Sequence, residues 1–203
     1  SAEALVQALG KAKRGEVVFI PNDCWIDLTS LIYIDHLVLR IPEGVTLAGN
    51  RGEKGSAGGY LTSDALNTPH MIVAEGPDVR VSGLRIQGPN PKRYLDHHTR
   101  SLRGDRGREH YNQFPRSRGI QTDQDGLRVD NCEISGFGHA AIHLVNGRDH
   151  DIHHNYIHHN QYQGLGYGVC HNTAFSRITF NLFDWNRHYI AGSGKPASGY
   201  AAR

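Results

Sequence analysis

Methionine is almost missing from this chain, with one residue in 203, and tryptophan is scarce at two. Long, adaptable side chains fill gaps between packed helices, so their scarcity, beside 24 glycines, argues for many tight turns and few helices. Three cysteines (Cys24, Cys132, Cys170) are too few for a disulfide framework and do not decide the compartment. No apolar run is long enough to span a bilayer. The formal charge is only +2, which excludes a global basic footprint and with it a nucleic-acid partner. The chain opens at Ser1 without a leader-like segment, as it would after processing. At 38% apolar content the 203 residues suffice for one core and read as a single domain, 1–203.

What is present is a repeat. Val79–Ile86 (VRVSGLRI), Leu127–Ile134 (LRVDNCEI), Asp151–Ile157 (DIHHNYI) and Arg177–Phe183 (RITFNLF) share one pattern. Val81, Val129, Ile152 and Ile178 fall in register, and five places on come Ile86, Ile134, Ile157 and Phe183. The steps of 48, 23 and 26 residues fit a period of about 24, the longest spanning two units. Each unit carries short β-branched runs with alternate apolar positions, bounded by Gly, Asn and Asp. Such a unit buries its apolar face only by stacking on its neighbours. Asn155 and Asn181 hold the same place in successive copies, where Leu84 and Cys132 stand in the others. At the usual strand spacing of roughly 4.8 Å those two amides can hydrogen-bond along the stack. Asn also tolerates the left-handed backbone of a sharp bend. Cys132 falls at an inward place and reads as a buried apolar thiol.

On these residues the chain resembles the right-handed parallel β-helix superfamily, often called pectin-lyase-like. The expected fold is all-β: a right-handed parallel β-helix solenoid with a short N-terminal capping helix. That helix is read over residues 1–14, from the one-face spacing of Ala4, Leu5, Ala8 and Leu9. It would cover the open end of the solenoid. Gly15–Pro21 reads as the first strand and turn, Leu31–Leu47 as further strands, and Gly49–Asn67 as a Gly- and Ser-rich loop. The chain ends just after a further coil begins, with no capping element in view. The expectation is therefore missing C-terminal coils, or a homo-oligomer through the open end.

Residues 88–119 interrupt the repeat. This insertion holds eight cationic side chains, Arg93, Arg100 and Arg118 among them, against three acidic ones, with Tyr94, Tyr111 and Phe114 interleaved. A solvated extra coil would look like this, and so would a basic wall beside a groove for an acidic polymer. On the second reading Arg93, Arg100, Tyr94 and Tyr111, with Tyr189, bind substrate.

Nine of the fourteen histidines lie between His139 and His188. With Ile152 and Ile157 inward, His153 and His158 point outward. The repeat places His153 between Asp130 and Thr179, and His158 between Ser135 and Asp184. His153, His158 and Asp184 are a candidate metal set, or a polar solvent face. Carried onto the flank, the same offsets put His139, Tyr162 and His188 in one column, with Arg187 beside it. Lys195 stands in a Gly-rich turn, IAGSGKPASGY, that lacks the spacing of a phosphate loop. His, Tyr, Arg and Lys on one flank make an acid–base site, or a polar groove that binds sugar without cleaving it. Two stretches, QTDQDG (121–126) and GFGH (136–139), faintly resemble polygalacturonase motifs. The intervening aspartate pair and the Arg-x-Lys motif are absent, so no hydrolase triad is carried over. Asp123 and Asp125 remain candidates for Ca²⁺ or for acid catalysis.

The resemblance implies an enzyme on polysaccharide, secreted, periplasmic or at the cell surface. The expected activity is a lyase cleaving an acidic, uronate-containing glycan by β-elimination. Arg187 or a divalent cation such as Ca²⁺ would neutralise the carboxylate, His188 or Lys195 would take the C5 proton, and Tyr162 or His139 would protonate the leaving oxygen. A glycoside hydrolase would instead need two of Asp123, Asp125, Asp130 and Asp184 flanking the bond. The third reading is a non-catalytic glycan-binding or structural module.

Overall fold

The structure is a computed structural model that describes residues 1–65, 68–89, 116–162, 164–196 and 198–203. The chain coils into a stack of parallel strands, and every named strand pair is parallel. Among the described residues one sheet has eleven strands and the other six. The larger sheet is two ladders fused through the long strands Ala140–His153 and Tyr167–Thr179, which pair with each other over both halves. The coil is therefore three-sided.

The repeat pattern produces this directly. In the six-stranded sheet Ile26, Leu61, Ile86, Ile134, Ile157 and Phe183 stand in one row. All but Phe183, which is partly buried, belong to the core. On the adjoining ladder Leu47, Val81, Val129 and Ile152 form the matching inward row, each fully buried. Each such side chain contributes roughly 1.5–3 kcal/mol by leaving water, so the row is the main hold between coils. Outward neighbours fall where the repeat puts them. His153 lies between Asp130 and Thr179, and His158 between Ser135 and Asp184.

The corner between these two faces is made by one residue with positive φ: Gly83, Asn131, His154 and Phe180 in successive coils. The next residue faces inward. There Asn155 Nδ2 donates to Asn181 Oδ1 at 2.9 Å, and Asn155 Oδ1 accepts from the Cys132 N–H at 2.9 Å. A second ladder, not anticipated, stands five residues on. Asn160 Nδ2 donates to Asn186 Oδ1 at 2.7 Å, Asn160 Oδ1 accepts from Phe137 N–H at 2.9 Å, and the corner residues are Gly136, His159 and Trp185. Cys132 is fully buried, and burial pushes its thiol up to about 12.

The capping helix is Ala2–Lys11, with Ser1 Oγ accepting from the Ala4 N–H and with Leu5 and Leu9 buried. Two expectations change. Residues 31–35 are helix, not strand, within Thr29–Asp35. Asp27 Oδ1 accepts the Thr29 N–H at 2.9 Å, and His36 closes the turn in the left-handed region. Only Ile32 of that helix is buried, while Tyr33 and Ile34 are exposed, so the β-branched run does not alternate. The segment 49–67 is not all loop. Tyr60–Thr62 is a strand between Trp25–Asp27 and Arg85–Gln87, with Leu61 its single inward residue. Among the described residues no helix is long and apolar enough to cross a membrane.

Candidate active site

The site lies on the third side of the coil, the side that residues 118–122 join. Arg118–Thr122 is strand, so the insertion ends before Arg118. This strand pairs with Ala140–His153, which pairs with Tyr167–Thr179. Gln121, His143 and Cys170 are thereby register partners on three successive coils, and Tyr167 is partnered by His188 on the next.

The side chains converge. Arg118 Nε donates to His139 Nδ1 at 2.7 Å, and Arg118 Nη1 donates to the Pro69 carbonyl at 3.3 Å. With its Nδ1 accepting, neutral His139 carries its hydrogen on Nε2. His143 Nδ1 lies 3.0 Å from Gln121 Oε1. That oxygen only accepts, so His143 holds its hydrogen on Nδ1 and keeps a lone pair on Nε2. The rings of His143, His139, Tyr167 and His188 follow one another with centroid spacings of 5.1, 6.0 and 5.7 Å.

The electrostatics have one sign. Burial, then Arg118, push His139 down to about 3. Burial, then Arg118 and His70, push His143 down to about 4. Burial, then the neighbouring Arg116, lower Arg118 itself. Burial lifts the Cys170 thiol to about 11 against the pull of Arg118. None of these shifts has a carboxylate among its causes. The cluster thus holds a partly buried cation and neutral imidazoles, an environment that favours an incoming anion.

The expected residues distribute unevenly. His139 and His188 join this row, but Tyr162 does not share their column. The His139 carbonyl accepts from Gly166 and Tyr167, so the register partner of His188 is Tyr167. The turn after Asn160 is longer than the repeat offset allows, and Tyr162, almost fully buried, packs beside Gly138. Arg187 and Lys195 are exposed. Lys195 is held in its turn by Ser193 and Ser198 and, among the described residues, contacts none of the cluster. Tyr189 stacks on Phe183 at 5.6 Å instead of facing the site. Arg93, Tyr94, Arg100 and Tyr111 lie outside the described residues.

The expected metal set is split between two sheets. His153 pairs with His154, Nδ1 to Nδ1 at 2.9 Å, and faces Asp151. His158 bonds Glu133 at 3.2 Å, and Asp184 takes the Tyr156 hydroxyl at 3.4 Å. Among the described residues the one convergent group of three metal-ligating side chains is His139, His143 and Cys170. The acids are dispersed as well. Asp130 is locked by Arg80 at 2.8 and 2.7 Å and by Ser82 at 2.8 Å, while Asp125 accepts the Arg148 N–H at 2.8 Å.

Arg118, Gln121 and Cys170 are the residues that spacing alone did not bring to this flank. The signal was there: Gln121, His143 and Cys170 are the outward polar places of one ladder, with steps of 22 and 27 residues in place of a constant period.

The model of the family described as "Right handed beta helix region" matches residues 93–196, just over half of the chain. The chain belongs to the right-handed β-helix family. That membership gives the coil its hand and leaves the chemistry of this β-helix to its own side chains. No curated protein and no solved structure matches the chain.

Proposed function

We propose that this β-helix binds an acidic polysaccharide, of the kind met outside the cytoplasm, at the face carrying Arg118, His139, His143, Tyr167 and His188, and cleaves it by β-elimination. The observation that carries the reading is the partly buried guanidinium of Arg118 among neutral imidazoles, with no carboxylate of the described residues paired to it. A uronate carboxylate supplies the missing anion. Held by Arg118, it has its charge neutralised, and the hydrogen on the adjacent C5 becomes acidic. The free Nε2 of His143 takes that proton. The C5–H electron pair forms the C4=C5 double bond as the C4–O bond breaks. The departing glycosidic oxygen takes a proton from the Tyr167 hydroxyl or from His188, which are stacked 5.7 Å apart. Hydrolysis is less well supported, because Asp130 is consumed by Arg80 and Asp184 stands on the other sheet.

The test is incubation with a panel of acidic polysaccharides, reading ultraviolet absorbance of the unsaturated uronate and, in parallel, new reducing ends. Absorbance that rises with wild type and falls about 100-fold in Arg118→Ala supports elimination. Reducing ends without absorbance would replace elimination by hydrolysis. Retention of glycan without either product would leave a binding module.

A further inference from the structure

We propose that His139, His143 and Cys170 form a binding site for a soft divalent transition-metal ion of the zinc or cobalt class. Their ligand atoms all lie within 4.8 Å of one another. Cys170 and His143 are direct register partners on adjacent coils, and the His139 ring lies 5.1 Å from that of His143. With metal–nitrogen and metal–sulfur bonds of roughly 2.0–2.3 Å, donors of a tetrahedral ion stand roughly 3.3–3.8 Å apart. The three side chains need close by no more than about 1.5 Å, within reach of small rotamer changes. All three are partly buried; His143 and Cys170 lie on strands paired on both sides, and His139 immediately precedes the first of these strands.

The donor chemistry chooses the ion. Two imidazoles and a thiol with no carboxylate select zinc, cobalt(II) or copper and reject Ca²⁺ and Mg²⁺, which take oxygen ligands. Gln121 supplies the outer hydrogen bond that such sites use: it accepts from His143 Nδ1 and turns Nε2 toward the ion. The thiol loses its proton on binding: Cys170–SH and the ion give the metal thiolate and one released proton. Three protein ligands leave a fourth position open.

Arg118 opposes the ion. Its Nε–H occupies the Nδ1 lone pair of His139, and its charge repels a second cation. A metal on His139 Nε2 needs hydrogen on Nδ1, and so needs Arg118 to swing away. Arg118 therefore sets the affinity. The metal also occupies the His143 lone pair, so on the proposed elimination mechanism a metal-loaded molecule is an inactive one.

The test is a titration of the reduced, metal-free protein with cobalt(II) alone, reading the thiolate-to-cobalt charge-transfer band and the visible bands of tetrahedral cobalt. One equivalent should saturate the signal. Cys170→Ser should abolish the charge-transfer band, and Cys24→Ser should leave it unchanged. His143→Gln should weaken binding about tenfold or more. Arg118→Met should tighten it several-fold. Circular dichroism of each variant verifies the fold. Absence of a thiolate band, or a band that survives Cys170→Ser, overturns the proposal. Cobalt held by the His153–His154 or His158–His159 pairs gives no thiolate band and counts against it. No substrate is involved, so a protein that binds cobalt and cleaves nothing overturns only the elimination reading.

Discussion

Two sides of the coil follow different rules. At the corners near residues 154 and 159 the last two coils repeat with a constant step of 26 residues, and amide sits on amide at both. On the face that carries Arg118, His143 and Cys170 the coil-to-coil steps are 22 and 27 residues, and the side chains differ in type at every level. Where the chain repeats, each side chain meets a copy of itself and the gain is cohesion. Where it does not, unlike groups meet, and unlike groups are what chemistry needs. Substitutions should therefore separate into those that melt the molecule and those that silence it.

The sharpest break comes in the inward row. Ile134→Ala removes a fully buried side chain between Ile86 and Ile157. It should cost about 3–4 kcal/mol in denaturant unfolding, with activity per folded molecule retained. Arg118→Ala should do the reverse: about 100-fold less elimination, with the unfolding midpoint nearly unmoved. Asn155→Ala leaves the Cys132 N–H and the Val129 carbonyl without their partner, at a cost of about 2 kcal/mol read as a lower melting temperature. Sequential loss of hydrogen-exchange protection, with the two last coils going first, would sharpen the contrast further.

The smallest effect concerns acid. For Asp130, burial pushes the carboxyl up, but hydrogen bonds from Arg80 and Ser82 outweigh it and the net pKa is lowered. A lowered folded pKa means that the unfolded chain takes up the proton first. The contribution is then fully present above about pH 4 and is lost as pH falls through the folded value. Melting of Asp130→Asn should show a shallower acid decline than wild type below about pH 4, with little difference in that slope at neutral pH. An unchanged slope would place the acid sensitivity in other carboxylates.

The same division explains what the sequence disclosed. The inward rows, the outward neighbours of His153 and His158, and the Asn155–Asn181 ladder were legible, because alternation and a left-handed corner fix them locally. The Asn160–Asn186 ladder was written in the same HHN spelling as the first and needed only the same reading. The helix Thr29–Asp35 was hidden because Leu31, Ile32 and Ile34 carry apolar side chains that a strand would also hold, while Asp27, one residue before the N-cap Leu28, accepts the Thr29 N–H. The site was the least legible. His139 was named, but its partners depend on how many residues the turn after Asn160 consumes, and only the bonds from Gly166 and Tyr167 to the His139 carbonyl settle that count. Arg118 was counted as insertion charge, when it is the first residue of a strand.

The twin amide ladders also give the molecule a mechanical character. Both run along the stacking axis, as do the inter-strand bonds, so a pull along that axis loads one coil-to-coil seam at a time. The last seam carries the strand bonds and two part-buried amide links, Asn155 to Asn181 and Asn160 to Asn186. Stretched from its ends, the protein should yield in discrete steps, peeling from the last coil inward. The first step releases one 26-residue turn, about 90 Å of extended chain.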